Sequence, residues 1–191
     1  MILLYIDTET TGLNVATCSV WQLSGYITDT VKGTTESFDY RMRPYRGETV
    51  TAEAAAKTGV TQEELDTYPP QSEAFSSFVA LLSKYLDLED WNQRAIPVGY
   101  NIAFDLDFLR SWFAYNNSAS LFSKNIFFPG IDVMYLASYY LLGDRSKMRN
   151  FQLATVYEKL LNKKLADAHN AMADIDATRE VLDVIVKGMH K

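Results

Sequence analysis

The chain opens on six apolar residues, Met1 to Ile6, that do not alternate with polar ones, and then meets two carboxylates, Asp7 and Glu9. An unbroken apolar run of that length suits a strand covered on both faces, which asks for a helical layer on each side and so for an α/β fold. The period of two along a strand puts Asp7 and Glu9 on one face, where their charges repel. Burying unpaired carboxylates costs several kcal/mol, so solvent, a base or a cation must answer them. The first basic residue is Lys32, which leans toward a cation. The alternative is that Asp7 ends the strand and opens the turn to Gly12.

Two further strands are expected at Val20–Thr28 and Thr35–Arg43, with Gly33-Thr34 between them. A short helix begins around Glu53 and stops near Gly59, and Thr61 with Glu64 three residues on opens another turn. Beyond Pro69-Pro70, the spacing of Phe75, Phe78, Val79, Leu82 and Leu86 predicts an amphipathic helix. Ala95–Tyr100 reads as a strand, with Asn101 as N-cap of a helix that buries Phe104, Phe108, Trp112 and Phe113. Helices are expected over 132–142, 151–161 and 171–186, interrupted by the basic turn from Asp144 to Arg149. No repeat or linker divides the chain, so residues 1–191 read as one α/β domain.

At 191 residues, 48% hydrophobic and 13% aromatic, the chain has ample material for a core, which excludes disorder. A formal charge of −6 excludes a broad basic surface wrapped in nucleic acid. The lone Cys18 cannot form an internal disulfide. The opening run is too short for a secretory leader and nothing else approaches a membrane span, so a soluble cytoplasmic protein with no membrane partner is expected.

Two other polar groups attract attention. Asp105 falls in the first turn of its expected helix, where the dipole favours an acid whatever its role, and periodicity does not separate it from Asp107. His169 is one of only two histidines, the other, His190, lying in the tail. Five residues of helix turn about 500°, so His169 and Asp174 reach one site only if His169 lies at or before the helix start.

Taken together, three segments resemble a known pattern: Asp7-Thr-Glu9-Thr10-Thr11-Gly12-Leu13, then Asn101-x-x-Phe104-Asp105-x-x-Phe108-Leu109, then Ala168-His169-x-Ala171-x-x-Asp174. They are similar to the three motifs of the DEDDh family, the DnaQ-like 3′-to-5′ exonucleases. The resemblance runs from Ile2 to about Leu182, and Glu53-Ala54 through Lys57-Thr58-Gly59-Val60-Thr61 resembles the family's stretch after its third strand.

That resemblance implies a ribonuclease-H-like α/β fold, a mixed five-stranded sheet flanked by helices, with the first three strands as an antiparallel meander. It implies Asp7, Glu9, Asp105 and Asp174 as metal ligands and His169 as general base. The cofactor implied is a pair of Mg²⁺ ions, with Mn²⁺ able to substitute, in keeping with hard carboxylate oxygens. It implies a two-metal hydrolysis that releases nucleoside 5′-monophosphates. Thr10, Thr11 and Leu13 take the places that cradle the terminal nucleotide, Phe104 would lie beside its nucleoside, and Glu53 matches a position that holds the 3′ end. For Leu13 and Phe104, plain core packing is the competing explanation.

Two departures bear on substrate grip: Thr58 and Tyr100 stand where relatives often carry histidine. Asp-Thr-Glu-Thr-Thr-Gly-Leu resembles the proofreading branch more than the oligoribonucleases, so the partner expected is a single-stranded 3′ end, DNA favoured over RNA. RNA trimming and non-catalytic end binding are the alternatives. The chain ends soon after its last expected helix, without a tethering tail, so a free-standing nuclease is expected, with a non-covalent polymerase or repair partner left open. Arg145, Lys147 and Arg149, like Arg41, Arg43 and Arg46, read either as phosphate contacts or as solvated turns.

Overall fold

The structure, a computed structural model, describes residues 1–165 and 171–189. Five strands form one mixed sheet in the order β3-β2-β1-β4-β5. β1 (Ile2–Thr10), β2 (Val20–Asp29) and β3 (Thr34–Arg41) make the antiparallel meander, and β4 (Ala95–Gly99) and β5 (Ile131–Asp132) join parallel to it. β1 outruns its apolar segment. Pairing with β2 continues through Asp7↔Ser24 and Glu9↔Gln22, and the register slips only between Glu9 and Thr10. Asp7 therefore does not end the strand.

β1 divides its side chains between two cores. Ile2, Leu4 and Ile6 pack with α3 (Gln71–Tyr85), α4 (Ile102–Tyr115) and α5 (Ala119–Asn125), through Phe78, Leu82, Phe108, Trp112, Phe113 and Phe122. Leu3 and Tyr5 face the other layer: α6 (Val133–Tyr140), α7 (Leu153–Leu161) and α8 (Ala171–Met189), through Val133, Val156, Val181 and Ile185. Arg179 of α8 lies 4.3 Å over the Tyr26 ring and 5.4 Å over Tyr5, fastening that helix across β1 and β2. On α3 the buried stripe is Ala74, Phe78, Leu81 and Leu82, with Leu86 at its end, so the stripe is turned slightly from the one expected, leaving Phe75 and Val79 half-buried.

Three features depart from the sequence reading, the first being α5, which lies where no element is expected. β5 occupies the start of what reads as a helix, because a two-residue strand is too short to show alternation, and α6 starts at Val133 with Asp132 as its cap. Asn101 does sit at the N-cap of α4, but it makes no side-chain cap; it is there for its left-handed backbone, φ 62°, and its N–H donates to Asp132 Oδ1. No helix among the described residues is long and apolar enough to cross a membrane.

Candidate active site

The odd-numbered face of β1 that buries Leu3 and Tyr5 goes on to present Asp7 and Glu9. Their cross-strand neighbours Ser24 and Gln22 are polar, and both donate to Asp39 on β3, at 2.7 Å each. The sheet thus surrounds the pair with polar groups whose donors are directed elsewhere. Glu9 is only 6% exposed.

Asp105 reaches the same region from α4. β1 pairs with β4 only from Ile2 to Tyr5, so the backbone of Thr8 lies beyond that pairing. Asp105 Oδ1 accepts from both Thr8 N–H, at 2.8 Å, and Thr8 Oγ1, at 2.7 Å. Asp105 is 5% exposed, on the stripe with Ile102, Leu106 and Leu109, whereas Asp107 points outward and pairs with Arg110. The structure therefore separates two acids that periodicity left equal. Thr8 is the partner that sequence reasoning missed, although it stands between the two acids of the first motif.

Asp174 lies in the first turn of α8 and lines, with Asp7, Tyr100, Asn101, Phe151 and Leu153, a groove of about 490 Å³. The charges crowd one another. Burial, then the neighbouring charges of Asp105, Glu9 and Asp174, push the Asp7 carboxyl well above its ordinary range. Glu9 is raised to about 7, by burial first and by Asp174, against the lowering effect of Lys57. Asp105 is also raised to about 7, burial outweighing the hydrogen bonds from Thr8. Among the described residues, no three acidic, histidine or cysteine side chains close into a finished metal cage. What stands there is a set of hard oxygen donors short of positive charge, which fits a divalent cation of the Mg²⁺ or Mn²⁺ kind.

Glu9 lines a second pocket, of about 230 Å³, with Thr8, Thr10, Leu13, Glu53, Thr58 and Phe104, among others. Leu13 is 76% exposed, so it is not core. Phe104 is half-buried, its ring 4.9 Å from that of Phe108. Thr10 lines the pocket and donates to the Gly12 carbonyl at 2.8 Å. Thr11 is not brought there: it is fully buried and its hydroxyl braces the strand end, accepting from Ser19 N–H and donating to Glu48 Oε1. His169 lies outside the described residues.

α1 (Ala52–Thr58), followed by the short α2 (Gln62–Thr67), supplies a wall of the pocket. Thr51 caps it and donates its own N–H to the Thr11 carbonyl at 2.8 Å, and Gly59, at φ 77°, ends it. Gly12 permits that approach, since a Cβ there would sit 2.8 Å from both Cys18 Sγ and Thr51 Cγ2. Lys57 in the last turn is a second residue that sequence reasoning passed over, because a lysine at a helix C-terminus needs no special explanation. The basic turn is held internally: Arg145 bonds Ser138 and lies over Phe151, Lys147 pairs with Asp144, and Arg149 donates to Thr155.

The sheet, its two helical layers and an acidic groove beside a small pocket have a counterpart in the sequence, which places the chain in a family. It matches the RNase T exonuclease family over residues 4–182, and the chain belongs to that family. No curated protein matches it. Among solved structures it is similar to the zinc-ion-bound form of the E. coli exonuclease I complex with single-stranded DNA, with 21% identity and a TM-score of 0.76 over 98% of this chain and 40% of that one. It is also similar to exonuclease I in a complex with SSB-Ct (21%, TM-score 0.72, 97% and 41%) and to cell-death related nuclease 4 (18%, TM-score 0.69, 97% and 64%). At these identities the likeness is one of fold. The chain spans 41% of the length of exonuclease I.

Proposed function

We propose that the protein is a metal-dependent 3′-to-5′ exonuclease that hydrolyses the terminal phosphodiester of single-stranded DNA and releases nucleoside 5′-monophosphates. The observation that carries this is the placement of Asp7 and Asp174 along a groove that meets, at Lys57, a nucleoside-sized pocket lined by Glu9. Family membership, and exonuclease I complexes with single-stranded DNA and with SSB-Ct, support both the reading and a non-covalent protein partner.

Asp7, Glu9, Asp105 and Asp174 would hold two divalent cations, which supply charge neutralisation at the phosphodiester and a more acidic bound water. The remaining work falls to the protein. Leu13 and Phe104 sandwich the terminal nucleoside, and Glu53 holds its free 3′ end. Thr8 keeps one oxygen of Asp105 fixed, so the other is presented in one orientation. His169 takes the proton of the attacking water as its oxygen bonds to phosphorus, and the bond from phosphorus to the 3′ oxygen of the penultimate nucleotide breaks. That oxygen takes a proton from solvent and becomes the new 3′ hydroxyl.

The test is to incubate matched 5′-labelled DNA and RNA oligonucleotides with the protein and Mg²⁺. Wild type should produce a ladder of shortened DNA, Asp7→Ala none, and His169→Ala should be slower by about 10²- to 10⁴-fold. If neither strand shortens, the reading fails; if only RNA shortens, the substrate class is wrong.

A further inference from the structure

Residues 53, 54, 57 and 58 share one face of α1, and all four line the smaller pocket. Lys57 alone among the described residues lines both that pocket, beside Glu9, and the larger groove, beside Asp7 and Asp174. It therefore stands where the two cavities meet. Given the exonuclease reading, on which this inference rests, the terminal nucleoside occupies the pocket and the rest of the strand the groove. The bond to be cut is the phosphodiester crossing from one to the other, past Asp7 and Glu9.

We propose that the Lys57 ammonium contacts this scissile phosphate and is a catalytic residue, contributing a fixed positive charge where negative charge grows on the phosphate oxygens. Three features support it. The helix that carries Lys57 is pinned to the end of β1 by the Thr51 to Thr11 hydrogen bond and closed by Gly59, so the side chain springs from a fixed point. Its charge acts on both Asp7 and Glu9, so its field covers the span between them. Lys57 is exposed, and a four-carbon stem lets its head follow the phosphate through the reaction. A cation that follows the growing charge in this way acts chiefly on the transition state.

The competing account is that Lys57 only complements the C-terminal end of α1. Two measurements on Lys57→Met and Lys57→Arg separate them: turnover of a 5′-labelled oligonucleotide with Mg²⁺, and calorimetric affinity for dTMP against thymidine. Lys57→Met should lower kcat by about ten- to a hundredfold with a smaller change in KM. It should weaken dTMP about tenfold while leaving thymidine unchanged, and Lys57→Arg should restore most of both. Unchanged dTMP affinity, or a parallel loss of thymidine, overturns the assignment. Failure of wild type to shorten any strand overturns the exonuclease reading instead, and the contrast between dTMP and thymidine still decides the phosphate contact.

Discussion

β1 serves two faces of one sheet under opposite rules. On one, Ile2, Leu4 and Ile6 meet an aromatic layer in which Phe78, Phe108, Trp112 and Phe113 are fully buried, and the one polar group of Trp112 donates to Gln71 at 2.7 Å. On the other, Leu3 and Tyr5 are covered by α6 to α8, and further along the same face Asp7 is presented to the groove and Glu9 to the pocket beside it. The first face is consistent from apolar pattern through close packing to the hydrogen bond of Trp112, until Asp105 of α4 meets Thr8 at its end. The second holds acids that raise one another's proton affinity. Such local inconsistency within a well-packed fold is where function is expected to sit.

The contrast is sharpened first by substitution at the two acids of α4. Asp105→Ala should abolish cleavage, by about 10³-fold or more, because it removes a proposed cation ligand. Asp107→Asn, which loses only an exposed pair with Arg110, should stay within twofold and shift stability by about 0.5 kcal/mol or less. Equal losses at both positions would mean that burial of Asp105 carries no special role. The second comparison concerns stability. Phe78→Ala on the dry face should destabilise by about 3 to 5 kcal/mol in chemical denaturation, while Asp7→Asn on the open face should leave the metal-free protein as stable as wild type or more so, since it relieves repulsion. Destabilisation by Asp7→Asn comparable to that of Phe78→Ala would erase the distinction.

Most of the fold is legible in the sequence because strand and helix periodicities are strong in the apolar runs that build both cores. What escapes has physical reasons. β5 is two residues long and shows no period. Asn101 carries a side chain typical of a cap but is needed for its backbone angle. Asp105 and Asp107 flank the same stripe, so periodicity leaves them equal, and burial of Asp105 against Thr8 at the unpaired edge of β1 is what separates them physically. Leu13 reads as core or lip until its exposure is known. Lys57 looks ordinary until two cavities are found to meet at it. The candidate acids were legible by motif resemblance alone, since no single one was distinctive.

Melting temperature against pH, with and without Mg²⁺, tests the central claim, that the far end of β1 gathers acids that a cation is needed to reconcile. Glu9 and Asp105 bind their protons more tightly folded, at about 7, than unfolded, at about 4. Their contribution to stability is therefore complete below about pH 4 and lost as pH rises through about 7. The carboxylates held by ordinary ion pairs, such as Asp144 and Glu180, have lowered values and weaken only below that window. Metal-free protein should thus melt several degrees higher at pH 5.5 than at pH 8, roughly 5 °C. Mg²⁺ should raise the melting point mainly at pH 8, and Asp7→Asn should flatten both effects. A melting point indifferent to pH over that range and to Mg²⁺ at pH 8 would contradict the account.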